Sequence, residues 1–350
     1  MRQATVKGVW TFCATALLVA SVRPALGRPA PVQRAFTFEK AMVIPGVPWG
    51  PYSDHLTVDV RGGRLFATPQ AAHEVAVLDI KTSSVITLIK DIGNPHGVFY
   101  SPEFNRLFVT DGAAGSVKVF DGARLTPETT IPAPGADGLA YDPSTKLLYA
   151  VYGGDDAGMK HASLAVIDTA TSRKVGDIPV DAMSLDGPVV DPARHRLYVE
   201  MSDRNAVAVV DLIAKRVVTH WSIGKSRHNM ATALDPQHHF LYVGCRDGDM
   251  RGSIAVLALS TGRVVKRLPI GGWVDSMDYD ARRHRIYLSS GTGYLEGYQV
   301  LPGGVFRKLE PAETAVMAKT SVYSPQLDRE FVSVPHLGDT LAKILVFAPR

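Results

Sequence analysis

The chain has 350 residues, of which 46% are hydrophobic and 21% charged, with 31 Gly and 23 Pro. That is enough apolar sequence for a large core and too little charge for a disordered tail or a coiled coil. The two cysteines exclude a disulfide scaffold and a four-cysteine zinc site.

At the N-terminus, Arg2 and Lys7 precede an uncharged stretch from Gly8 to Val22, broken by Pro24 and followed by Ala25-Leu26-Gly27. A charged start, a short apolar run and small residues at its end read as a secretory signal peptide. The run is about 15 residues, short of the roughly 20 that a spanning helix needs. The expected organisation is a signal peptide over 1–27 and one domain over 28–350, with no transmembrane segment in the mature part. The expected location is periplasmic or secreted. The segment 1–27 holds Arg2, Lys7 and Arg23 and no acid, so the remainder carries 35 basic residues against 34 acidic. The overall charge of +4 is therefore mostly the signal. Cys245 is then the single thiol, in a strand, and is expected to be buried and inert.

After the signal, one pattern recurs. Its aromatic positions are Phe66, Phe108, Tyr149, Tyr198, Tyr242, Tyr287 and Phe331, spaced 42, 41, 49, 44, 45 and 44 residues apart. A Ser-Pro or Asp-Pro turn precedes several of them, as in Ser101-Pro102, Asp142-Pro143 and Asp235-Pro236. A second alternating strand ends on an aspartate, as at Asp79, Asp121, Asp168 and Asp211. A third strand follows, and a small-residue strand such as Gly138-Leu139-Ala140-Tyr141 leads into the next turn. Four short strands per unit, repeated seven times with no helical periodicity, predict an all-β fold: a seven-bladed β-propeller with four antiparallel strands per blade. The last unit lacks its outer strand, and Ala35 to Gly46 is expected to supply it and close the ring.

Segments such as Phe108-Val109-Thr110-Asp111 with Ser116 to Asp121, and Tyr198-Val199-Glu200-Met201 with Ala206 to Asp211, resemble the YVTN-type (YncE-like) propeller repeat of secreted bacterial proteins. The resemblance covers about residues 35–349. It implies the fold; relatives include binding proteins, lactonase-like and lyase-like enzymes and subunits of redox enzymes.

In a propeller the innermost strands converge at one end of a central channel, here called the top, where binding groups collect. Aligning the starts of these strands yields Asp54, His96, Asp137, Asp186, Met230, Asp275 and Lys319. Aspartate is poor in strands, so four at equivalent positions need a reason. One reason is a repeated turn cap. The other is a ligand site at Asp54, His55, Asp186, Asn229, Trp273, Asp275 and Lys319. A divalent cation such as calcium would sit on Asp54, Asp137, Asp186 and Asp275, with His96, His228 and Asp137 as catalytic groups. The loops Tyr152 to His161 and Arg246 to Gly252 are insertions on the same face.

The leading expectation is a module that binds a small molecule or protein partner at the channel. The alternative is a cation-dependent hydrolase or lactonase-like enzyme. A third reading is anion binding through a basic opposite face that includes Arg64, Arg106, Lys146, Arg196, Arg283, Arg285 and Arg329. No glycine-rich phosphate loop is present, nucleic acid is not an expected partner, and the chain is expected to be a monomer.

Overall fold

The computed structural model describes residues 33–350, so the proposed signal peptide over 1–27 lies outside the described residues. The described residues form seven antiparallel sheets, one per sequence repeat. Blade one comprises Leu56–Asp59, Arg64–Ala67, Val75–Asp79 and Val85–Ile89, from the inner strand outwards. Blades two to five follow with the same order. The outer strand of blade seven is Phe36–Val43, which pairs antiparallel with Lys343–Pro349 next to Arg329–Val334 and the inner strand Thr320–Ser324. The N-terminal strand closes the ring, as the missing fourth strand of the last repeat required.

Blade six departs from the four-strand pattern. Its outer position is filled in two pieces, Val305–Lys308 and Ala312–Val316, both paired with Thr292–Leu301. Pro311, which has no N–H to donate, separates the two pieces.

Seven hydrophobic clusters lie in the seams between blades, each built from two neighbouring sheets. The repeated aromatic is the anchor of its seam. Phe66, for example, packs with Val98, Tyr100, Leu107 and Val109 of blade two. All seven aromatics are buried. Burying one such side chain contributes about 1.5–3 kcal/mol, so neither face of a blade can be left to solvent. Where the aromatic is Tyr, an Asp stands seven residues earlier. Tyr242 donates to Asp235 at 2.7 Å, and Tyr287 to Asp280 at 2.9 Å. Phe108 and Phe331 have no hydroxyl, and Ser101 and Ser324 occupy the matching places.

The turn aspartates have a local role. Asp142 accepts from the Ser144 amide at 2.9 Å, and Asp235 from the amides of Gln237 and His238 at 3.1 and 2.9 Å. At the ends of the strands that follow the aromatic ones, Ser116–Asp121 and Ala162–Asp168, the aspartates cap their turns in the same way. These are short polar acceptors that satisfy turn amides. Cys245 is buried, and that burial pushes its thiol up, as expected of an inert cysteine.

Candidate functional site

The strands that open on the top face bring Asp54, His96, Asp137, Asp186, Asp275 and Lys319 to the mouth of the central channel. None of the four aspartates accepts a backbone amide among the described residues, so they are not turn caps of the kind that recurs elsewhere in the blades. Their partners are side chains.

Blades one to three form one group. The imidazole of His96 donates from Nδ1 to Asp54 Oδ2 at 2.8 Å, and Asp137 Oδ2 lies 3.7 Å from the same nitrogen. His55 Nε2 is 3.5 Å from the other Asp54 oxygen. One ligand-type atom from each of Asp54, His96 and Asp137 lies within 4.8 Å of the others. Two amide side chains hold this group. Gln70 donates to Asp54 Oδ2 at 3.2 Å, and the Asn94 side chain lies beside His96 Nε2, where its amide oxygen is the atom able to accept the imidazolium proton. Thr68 ties the strand starts together, its hydroxyl bridging the carbonyls of His55 and His96 at 3.0 and 3.1 Å.

The charge states follow from these contacts. Burial alone would raise Asp54, but the charges of His55, His96 and Lys319 and the His96 hydrogen bond outweigh it and hold the carboxyl well below its usual range. Burial alone would lower His96. The Asp54 hydrogen bond and the Asp137 and Asp54 charges overcome that and raise it to about 9. Asp137 is raised to about 6 by burial, reinforced by Asp54 and Asp275 and opposed by His96. Asp186 is raised well above its ordinary value by burial and then by the charges of Asp137 and Asp275. It has no hydrogen bond or ion pair among the described residues.

Blades five to seven treat an aspartate differently. Asp275 is held by the guanidinium of Arg246 on one oxygen and the ammonium of Lys319 on the other. Arg246 also donates to the Val274 carbonyl at 3.0 Å, and its guanidinium lies 5.4 Å from the centre of the Trp273 ring. The Lys319 ammonium lies 5.6 Å from the ring centre of Tyr52. Burial would lower Lys319, but Asp275 and Asp54 raise it, so it stays charged.

The other expected residues fall outside this ring. His228 is exposed, in a shallow pocket with Arg227, Met230, Arg246, Asp247 and Trp273. Asn229 is buried and donates to Glu200 and to the Ala206 carbonyl, so its side chain is committed to the wall. Trp273 has a left-handed backbone, with φ of 58°. Gly135 occupies the same place in blade three, two residues before Asp137, with φ of 65°. A bulky aromatic is held there at a cost of roughly 1 kcal/mol.

The insertion after Tyr152 folds into a short 3₁₀ turn, Gly154–Ala157, beside the mouth. A side chain at Gly154 would meet the Met183 carbonyl at 2.0 Å, so the turn requires glycine. The second insertion extends the hairpin of Phe240–Gly248 and Arg251–Ala258. Below the mouth, the channel holds a cavity of about 230 Å³ lined by residues including His55, Gly97, Gly187, Thr232, Asp278 and Ser321.

Three supports of the site went unread in the sequence: Gln70, Asn94 and Arg246 as a partner of Asp275. Gln70 opens a short 3₁₀ turn, Gln70–Ala72, and Asn94 lies in a loop, where no period marks them. The acids Glu200, Asp278 and Glu330 also went unread as channel-wall groups. Glu330 had a signal, since the matching residue in the other repeats is Leu or Ile.

On the opposite face the basic residues are largely paired. Arg64 binds Asp59 at 2.7 Å, Arg106 binds Glu128 at 2.8 Å, Arg196 binds Asp211 at 2.8 Å, and Arg283 binds Asp280 and Asp328 at 3.0 and 2.7 Å. The face presents ion pairs rather than a free cationic ring.

No family model and no curated protein matches this chain. Its fold does match solved structures. The Kuenenia stuttgartiensis hydrazine synthase is 17% identical, with 83% of this chain and 95% of that one covered and a TM-score of 0.71. The WD40 repeats of RRP9 are 12% identical, with 91% and 100% covered and a TM-score of 0.75. A chain of the mitotic checkpoint complex is 18% identical, with 95% and 99% covered and a TM-score of 0.71. At these identities the likeness is one of fold: a seven-bladed propeller, an architecture widely used as a binding scaffold. Among the described residues no helix is long and apolar enough to cross a membrane.

Proposed function

We propose that this chain is an exported, YVTN-type propeller, periplasmic or secreted, that binds a small molecule or protein partner at the top-face mouth of its channel. One observation carries the reading. On the blade one to four side, Asp54 and Asp137 share a single imidazolium, and the half-buried Asp186 beside them has no hydrogen-bond donor among the described residues. Like charges held this close are compensated by a bound cation or by protons. The favoured ligand therefore presents a cationic nitrogen, and a protein partner would present Lys or Arg. Calorimetric titration of the mature chain with 1,4-diaminobutane, against citrate as the anionic control, tests this. Binding of the diamine that weakens at least tenfold in Asp137→Asn/Asp186→Asn supports the reading. Binding of citrate without the diamine overturns it.

A second reading, metal-assisted hydrolysis, is favoured by the grouping of Asp54, His96 and Asp137. The set differs from the four-aspartate calcium cradle expected from sequence, because Asp275 is taken up by Lys319 and Arg246. One imidazole nitrogen and two carboxylates suit a borderline ion such as zinc. Such an ion would polarise a carbonyl, while His55 and Asp186 face the same opening. His96 would first lose its proton, so zinc uptake at pH 7 would release about one proton. Ester or lactone hydrolysis that a chelator abolishes, zinc restores and Asp137→Asn removes supports this reading; the absence of zinc-linked proton release rejects it.

A further inference from the structure

The residue just before each repeated aromatic points into the seam with the preceding blade. In six blades it is Leu65, Leu107, Leu148, Leu197, Leu241 or Ile286, and none of them has any exposed surface. In blade seven it is Glu330, which is equally buried. Val332, two residues along on the same face, packs with Tyr287 and Leu295 of blade six. Glu330 thus lies in an apolar seam, and neither of its carboxyl oxygens has a hydrogen-bond partner. The hydroxyl of Ser321 is likewise without one.

A buried acid with no donor is costly, and this molecule shows how the cost is normally met. Glu200 is another fully buried glutamate, in blade four. Its carboxyl receives the Asn229 amide and the Thr232 hydroxyl, one on each oxygen. Glu330 has no amide donor, and a single hydroxyl, that of Ser321, is near enough to serve one of its oxygens. Its neighbours are the hydroxyl of Ser321 and two further acids, Asp278 and Asp280. Asp280 is already satisfied by the Tyr287 hydroxyl, the amides of Arg282 and Arg283, and the Arg283 guanidinium. Asp278 uses one oxygen to accept the Tyr323 amide at 3.1 Å. Tyr323 is the residue paired with Glu330 across the sheet, so the two acids approach one stretch of backbone from adjacent blades. Asp278 and Ser321 also line the channel cavity, which gives the seam an opening.

Even with the Ser321 hydroxyl turned to one Glu330 oxygen, the other Glu330 oxygen and the second Asp278 oxygen are left without a donor. All these groups are oxygens, and two carboxylates neutralise one divalent ion. Calcium takes all-oxygen sets of irregular geometry and fills the remaining positions with water. We propose that Asp278, Glu330 and Ser321 form a calcium-type cation site in the seam between blades six and seven, loaded from the channel. It is separate from the Asp54, His96 and Asp137 group at the mouth and does not rest on the ligand proposed there.

The test uses the mature chain, stripped with chelator and dialysed, in calorimetric titration and thermal melting with calcium chloride. The expected result is one calcium per chain and a rise in Tm of about 5 °C at a hundredfold excess over Kd. Glu330→Leu, which restores the residue of the other blades, should fold and melt no lower than the stripped wild type. It should lose the calcium response, with affinity reduced at least a hundredfold, and Ser321→Ala should weaken it by a smaller factor. Asp54→Asn/Asp137→Asn should keep the response, which separates this site from the mouth. No calcium response in the wild type, a response retained in Glu330→Leu, or one lost only in the mouth variant would each overturn the proposal. So would a wild type that ignores calcium and gains stability only on acidification, since the two acids would then share a proton.

Discussion

On the blade six side of the channel mouth, Asp275 is enclosed by Lys319 and Arg246. On the blade one to four side, Asp54 and Asp137 have the single imidazolium of His96, with His55 more distant from Asp54, and Asp186 has no ion pair among the described residues. Both sides derive from the same repeat position. In one, the carboxylate completes an internal ion-pair network; in the other, carboxyl groups remain open to whatever enters the channel. An aspartate recurring at a rim is thus not a site by recurrence alone. What distinguishes the two sides is how many cations the neighbouring blades supply: Asp275 alone has two, whereas Asp54 and Asp137 have one imidazolium between them.

This contrast can be broken by substitution. The largest effect is expected for Asp275→Ala, which leaves the Lys319 and Arg246 charges facing each other without their anion. Removing one partner of a buried pair costs about 3–5 kcal/mol, which urea denaturation at pH 7 would show. A loss under 1 kcal/mol would mean that this side is not an ion-pair network. Next is His96→Gln, expected to cost roughly 2 kcal/mol at pH 6. Because the His96 value is raised to about 9 in the folded chain, its contribution is whole below pH 6.5 and fades as pH rises through 9. Wild type and variant should therefore converge in urea midpoint toward pH 10.

Asp137→Asn should act in the opposite direction. A carboxyl raised to about 6 favours the folded state below its unfolded value, 3.8, and that advantage is lost as pH rises through 6. The variant should match the wild type near pH 3.5 and exceed it by about 1 kcal/mol at pH 8. Equal stability at both pH values would mean that the carboxyls on this side of the mouth are already fully compensated. The smallest effect is expected at the opposite face. Arg329→Gln, which removes the pair with Glu39, should change stability by less than about 0.5 kcal/mol, as solvent-screened pairs do.

The fold was almost fully legible, because the aromatic at each seam recurs every 41 to 49 residues and each turn carries its own Ser or Asp. Strand closure was readable from a missing fourth strand in the last repeat. The split outer strand of blade six was not, because Pro311 interrupts a segment whose flanks are both good strand sequence. At the site, Asp54, His96, Asp137, Asp186, Asp275 and Lys319 could be placed on one rim by register alone. Their division into two groups could not, since it depends on Arg246 reaching across from an insertion. His228 and Asn229 lay one or two residues from a rim position, and that offset sent one outside the channel and the other into its wall. Glu330 broke the repeat at a core position, a signal that counting rim residues could not reveal.

If the open side of the mouth is as rich in carboxylate as its geometry indicates, Asp54 and Asp137 hold His96 as an imidazolium at neutral pH. NMR titration of its imidazole tests this most directly. The expected midpoint is about 9, falling toward the ordinary 6.5 in Asp54→Asn. A wild-type midpoint at or below 6.5 would contradict it.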